Sequence, residues 1–129
     1  MNPQKNKILI ADDEWHLRLM LSSMLNKAGY QVVGEAANGT EAVSLFKEAK
    51  PDLLLMDINM PVMTGDVALR EIMKATPDAR IVMLTSVADM QTVEKCLDYG
   101  AVNYVRKDCP LDEIRTVIDE ALSEDNPDG

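Results

Sequence analysis

The sequence predicts an α/β fold, a doubly wound five-stranded parallel sheet with helices on both faces. Three observations carry that reading. Five short apolar runs alternate with five stretches of helical periodicity, the pattern of successive βαβ units. The runs at residues 8–11, 53–56 and 81–84 are apolar without a break, as strands are when helices cover both faces. The chain has 129 residues, enough for one domain with one core, and right-handed crossovers make the three-layer sandwich the simplest topology.

Residues 1–6 read as a loose lead-in. The first strand, Ile8-Leu9-Ile10-Ala11, is stopped by Asp12-Asp13-Glu14. Leu17, Met20, Leu21, Met24, Leu25 and Ala28 recur at helical spacing, and Gly29 suits the position just past that helix. Val32-Val33 marks the second strand and Asn38-Gly39 a turn; the second helix turns Ala42, Val43, Phe46 and Ala49 inward and ends before Pro51. The third strand, Leu53-Leu54-Leu55-Met56, runs into Asp57, and Pro61 and Gly65 impose a loop. The third helix starts near Gly65, with Ala68, Leu69 and Ile72 as its core face, and stops before Pro77. The fourth strand, Ile81 to Leu84, ends at Thr85-Ser86. A helix from Asp89 to Tyr99 follows, with Val93, Cys96 and Leu97 inward and Gly100 beyond its end. The fifth strand runs from Val102 to Val105 and ends at Arg106-Lys107; the last helix packs Leu111, Ile114, Ile118 and Ala121, with Val117 and Leu122 beside them. The tail 123–129 has no apolar residue and reads as a frayed end or the start of a linker.

Folds of this kind bind ligands at the carboxyl ends of the strands. There the chain places Asp12-Asp13, Asp57, Thr85 and Lys107. Three carboxylates cannot stay ionised together without a counter-charge, since two unit charges 4 Å apart repel by ~4 kcal/mol at an effective dielectric near 20. One carboxylate protonates, Lys107 neutralises part of the charge, or a hard divalent cation binds. An all-oxygen site with few protein ligands suits Mg²⁺. A nucleophilic Asp, Mg²⁺, a hydroxyl and a Lys together suit phosphoryl transfer to a carboxylate.

The same residues carry a family resemblance. Asp12-Asp13-Glu14, the segment Asp57-Ile58-Asn59-Met60-Pro61-Val62-Met63-Thr64-Gly65, Thr85-Ser86, and Gly100 through Lys107 occur in order and at the right spacing. Over about residues 7–122 the chain resembles the receiver domain of two-component response regulators. The resemblance implies a flavodoxin-like sandwich with strand order 2-1-3-4-5, an order that chemotaxis receivers themselves exemplify. It implies Asp57 as phosphoacceptor, with a sensor histidine kinase or phosphotransfer protein as donor. Asp13, Asp57 and the backbone carbonyl of Asn59 would hold Mg²⁺ directly and Asp12 through water, while Thr85 and Lys107 would contact the phosphoryl group. Thr85 would then move, Tyr104 would turn into the vacated space, and the surface of the fourth helix, fifth strand and fifth helix would change for an output domain or target protein. A cytoplasmic signalling protein that promotes only its own phosphorylation and dephosphorylation is implied, with a phosphorylation-dependent dimer compatible with it.

Two departures stand out. The family usually has a cis-bonded Pro after the Lys, where this chain has Asp108; a cis bond without proline costs ~3 kcal/mol, so either that strain is borne or Lys107 is held another way. Val87, two residues past Thr85, offers no group to orient water, although Asn59 could.

Charge and composition narrow the alternatives. Thirteen basic against 22 acidic residues leave −9, which repels phosphate backbones and argues against nucleic-acid binding by this domain. No stretch is long enough to span a bilayer, and Cys96 and Cys109 lack metal-site or CxxC spacing, so reduced thiols are expected. Nine Met against one Phe and one Trp point to a core filled by flexible side chains. A haloacid-dehalogenase-type hydrolase would need an acid–base carboxylate two residues after Asp57, where Asn59 stands. A flavin-binding first loop would have to cradle phosphate, which Asp12-Asp13-Glu14 repels, and the intact acidic set argues against a degenerate receiver that serves only as a binding module. His16 has no spaced metal-ligand partner and reads as a solvated or packed residue. Trp15 reads as a cap on the pocket wall.

Overall fold

The computed structural model describes residues 6–123. Strands β1 (Lys7–Ala11), β2 (Gln31–Ala36), β3 (Leu53–Asp57), β4 (Ile81–Thr85) and β5 (Asn103–Arg106) alternate with helices α1 (Trp15–Lys27), α2 (Gly39–Ala49), α3 (Gly65–Ala75), α4 (Met90–Asp98) and α5 (Leu111–Ser123). The strands form one parallel sheet in the order β2-β1-β3-β4-β5, so the expected doubly wound sandwich is the observed fold.

Side chains alternate across a strand, and the core divides accordingly. Leu9, Ala11, Leu54, Met56, Ile81 and Met83 pack on one face with Ala42, Phe46, Leu69, Ile72, Val93 and Cys96 of α2, α3 and α4. Ile8, Ile10, Leu53, Leu55, Val82, Leu84 and Val105 pack on the other with Leu21, Leu25, Ile114 and Ile118 of α1 and α5. Every residue of β3 and β4 is buried, which explains the unbroken apolar runs. Each fully buried Leu or Ile contributes ~1.5–3 kcal/mol of transfer free energy.

Element ends follow local chemistry. Gly29 and Gly100 lie in the left-handed region, with φ of 99° and 119°, just past α1 and α4, as expected of glycines that close helices. Asn38 does more than turn the chain: its side chain accepts the Glu41 N–H at 2.9 Å and caps α2. A 3₁₀ turn over Val87–Asp89 precedes α4, so that helix starts one residue later than periodicity predicts. Met20 and Leu97, expected inside, are 48% and 38% exposed, because helical spacing fixes the centre of an apolar stripe better than its width. Ser123, read as the first tail residue, closes α5. The remaining lead-in and tail residues, 1–5 and 124–129, lie outside the described region.

Register places the site. Ala11 lies opposite Met56, Asp57 opposite Leu84, and Thr85 opposite Arg106. Asp12, Asp57, Thr85 and Lys107 therefore emerge at one edge of the sheet.

Candidate functional site

Asp57 ends β3 with 1% of its surface exposed. Its Oδ2 accepts from Lys107 Nζ at 3.0 Å and its Oδ1 from the Asn59 N–H at 3.3 Å. Asp12, fully buried just past β1, faces the same ammonium: its Oδ2 lies 3.0 Å from Lys107 Nζ. Asp12 Oδ1 accepts the Glu14 N–H at 2.8 Å, while Oδ2 makes the ion pair but no hydrogen bond. Glu14 Oε1 stands 3.9 Å from Lys107. Asp13 is exposed, yet one carboxylate oxygen each from Asp12, Asp13 and Asp57 lies within 4.8 Å of the others.

The electrostatics follow from this crowding. Burial, then the charge of Asp12, pushes the Asp57 carboxyl up from about 3.8 to about 6, against the opposing pull of Lys107 and the Asn59 N–H. For Lys107, burial acts to lower the pKa, but the carboxylates of Asp12 and Asp57 outweigh it and the net shift is upward. The ammonium thus stays charged and partly neutralises two buried carboxylates. Three carboxylates in reach of one another, one with a buried oxygen lacking a hydrogen bond, form an oxygen-only donor set that fits a hard divalent cation.

Thr85 is fully buried at the end of β4, and its hydroxyl donates to the Ser86 carbonyl at 3.0 Å. Tyr104 on β5 is half-buried; it packs on the α2–α4 side of the core and lines a cavity of about 630 Å³ with Met90, Val93 and Leu97 of α4. Lys107 reaches the pocket from an ordinary backbone: no peptide bond among the described residues is cis, and the Lys107 N–H donates to the Thr85 carbonyl at 2.8 Å. Lys107 is therefore held by this hydrogen bond and by its two carboxylate partners. The Asp108 side chain is taken up by the Arg106 guanidinium. Val87 is exposed. Trp15 is 66% exposed and stands edge-on to His16, so it is not a wall of the pocket. Cys96 is buried in α4, and Cys109 donates its thiol to the Arg106 carbonyl; both are free thiols.

The close backbone approaches at Gly65 and Gly39 and the grip of Arg18 are supports that sequence spacing does not show. Gly65 approaches β3 so closely that a Cβ there would fall 2.0 Å from the Asp57 carbonyl oxygen, and a Cβ on Gly39 would fall 2.3 Å from that of Met63. The Gly39 N–H donates to that Met63 carbonyl at 2.9 Å, and the Gly65 N–H to Ile58 at 2.7 Å, tying the loop after Asp57 to the starts of α2 and α3. Arg18 donates to the Asp12 carbonyl at 2.6 Å and to Glu35 at 3.1 Å. The available signal for Arg18 was a cation in the first turn of a helix, where the dipole disfavours it.

A five-stranded sheet in the order β2-β1-β3-β4-β5, with an acidic cluster and a lysine at its carboxyl edge, places the chain in the flavodoxin-like class of doubly wound domains. The family model for the response regulator receiver domain matches residues 8–119. The chain is 43% identical over 117 residues to the chemotaxis protein CheY of Thermotoga maritima, covering 91% of this chain and 94% of that protein. Among solved structures, a CheY-like response regulator receiver domain protein from Methanospirillum hungatei superposes with a TM-score of 0.89 at 27% identity, covering 98% of this chain and all of that one. CheY in the CheX-CheY-BeF3-Mg complex from Borrelia burgdorferi gives 0.84 at 28% identity, covering 89% of this chain and 87% of that one. The chain belongs to the response regulator receiver family of two-component systems. Among the described residues, no helix is long and apolar enough to cross a membrane.

Proposed function

We propose that the chain is a phosphorylation-dependent signalling switch in which Asp57 takes a phosphoryl group from a phosphohistidine of a sensor kinase or phosphotransfer protein. The observation that carries this reading is the Lys107 ammonium lying 3.0 Å from both Asp57 and Asp12 at a buried strand edge. Asp57 attacks phosphorus through a carboxylate oxygen; the new P–O bond forms as the P–N bond breaks, and its electron pair returns to the imidazole. Asp12, Asp13, Asp57 and the Asn59 carbonyl are the residues to hold Mg²⁺. When bound, Mg²⁺ favours the ionised carboxylate and neutralises phosphoryl oxygens, and the related Borrelia CheY complex, which contains Mg²⁺, supports such a site in this fold.

Lys107 offers its ammonium to the transferred group, and Thr85 offers its hydroxyl once it turns from the Ser86 carbonyl. Movement of Thr85 frees space for Tyr104, and the α4–β5–α5 surface changes for an output domain or target protein. This is a local charge change biasing a two-state element. The working unit spans about residues 7–122 and acts in the cytoplasm, with no substrate turnover beyond its own phosphorylation and dephosphorylation. Acetyl phosphate with Mg²⁺ is expected to add one phosphoryl group to the wild-type protein and none to Asp57→Asn, read by intact mass. Equal labelling of the variant, or multiple turnover of a phosphatase substrate by the wild type, overturns the proposal.

A further inference from the structure

Arg18 breaks a local rule and gains nothing from its own helix. It lies in the first turn of α1, where the first intrahelical bond runs from its own N–H to the Glu14 carbonyl at 3.1 Å. A cation there opposes the helix dipole, and proteins break such local rules mainly at functional or strained sites. The guanidinium is mostly covered, with 17% of the side chain exposed. It turns back over the start of the helix, giving Nη1 to the Asp12 carbonyl at 2.6 Å and Nε to Glu35 Oε1 on β2 at 3.1 Å.

The peptide it grips is the one that joins Asp12 to Asp13. On the other side of Asp12, the N–H donates to the Ala36 carbonyl of β2 at 2.9 Å. Asp12 is therefore anchored to β2 twice, directly through its N–H and indirectly through Arg18 and Glu35. The second anchor fixes the peptide plane from which the exposed Asp13 sets out. A planar fork suits this task, because its donors are fixed in direction toward a carbonyl and a carboxylate, where the three donors of an ammonium rotate on a flexible stem.

From this geometry we infer that Arg18 is a positioning residue for the divalent-cation site, holding the Asp12–Asp13 peptide so that both carboxylates converge with Asp57. The inference rests on the Mg²⁺ reading above and deepens it. Groups that orient metal ligands typically cost 10–100-fold in metal affinity when lost. Simple charge arithmetic predicts the opposite sign: removing a cation beside an acidic site should tighten binding of a dication. The two accounts therefore separate.

The test is calorimetric titration of Mg²⁺ into wild-type protein, Arg18→Met and Arg18→Lys, each first checked for a cooperative metal-free melt. Arg18→Met is expected to bind Mg²⁺ at least tenfold more weakly, and the charge-conserving Arg18→Lys to fall between it and the wild type. Affinity equal to or tighter than wild type in Arg18→Met overturns the inference. Should Arg18→Met fail to fold, Arg18→Lys decides: weaker binding supports the inference and unchanged affinity overturns it. Absence of Mg²⁺ binding by the wild type is a separate result, which removes the metal reading itself.

Discussion

Asp57 is held in a conflict that its own chemistry would resolve by taking up a proton. Burial and Asp12 raise its pKa to about 6, while an unfolded chain returns it to about 3.8. Its contribution to stability is therefore fully present below about pH 4 and lost as pH rises through about 6, because the unfolded state releases the proton first. A gap of ~2 units corresponds to roughly 3 kcal/mol. In metal-free buffer the wild type is expected to lose stability across that window relative to Asp57→Asn, which should melt higher at pH 7.5; urea denaturation of both proteins at pH 4.5 and 7.5 measures the difference. A variant that melts lower than the wild type at pH 7.5 counts against the crowded-carboxylate picture. Asp12, Asp13, Asp57, Thr85 and Lys107 were legible in the sequence because each stands where an apolar run stops, and sheet geometry gathers such stops. For Arg18 the one hint was a cation near a helix start; that it grips a main-chain carbonyl was not legible, because no sequence pattern records where a carbonyl points.

The loop between β3 and α3 shows how one element braces another. Its Val62 has φ of 68°, a left-handed conformation that a β-branched residue resists. The Met63 N–H donates to the Pro61 carbonyl at 2.7 Å, so Val62 sits at the apex of a three-residue turn. The α2 N-terminus holds that turn through Gly39 and Met63. Val62→Gly is expected to stabilise the protein by ~0.5–1 kcal/mol, the strain relieved exceeding the entropy that glycine adds to the unfolded chain. Gly39→Ala should destabilise it by ~1–3 kcal/mol, since its methyl must displace a backbone oxygen; chemical denaturation of the two variants gives both signs. The sequence announced Asn38-Gly39 as a turn signal. It did not announce that the glycine makes room for a loop 24 residues later, since close approach between backbones is a tertiary fact. Helix spans were legible for a simpler reason, the recurrence of Leu21 with Leu25 and of Ile114 with Ile118, whereas Met20 and Leu97 lie at the margins of their stripes, where period alone does not decide.

Over the whole molecule, the fold and the site have opposite electrostatic needs. A net charge of −9 and a cluster of carboxylates oppose compaction, while the two apolar layers on either side of the sheet sustain it. A ligand that binds only the folded state adds RT ln(1 + [L]/Kd), ~2.7 kcal/mol at a hundredfold excess over Kd. Saturating Mg²⁺ should therefore raise the melting temperature of the wild type and chelation reverse it, with a smaller shift in Asp57→Asn; differential scanning calorimetry reads both. Equal shifts in the two proteins would assign the stabilisation to general screening of surface charge rather than to this site.

The bond between Lys107 and Asp57 spans 50 residues, and β1, β3, β4 and β5 must all be paired before their ends meet. Contacts so distant along the chain close only at the expense of loop entropy. Until then Asp57 has no fixed place beside the adjacent pair Asp12 and Asp13. A chain with its last strand undocked has no lysine beside Asp57, so the pocket is complete only when the sheet is.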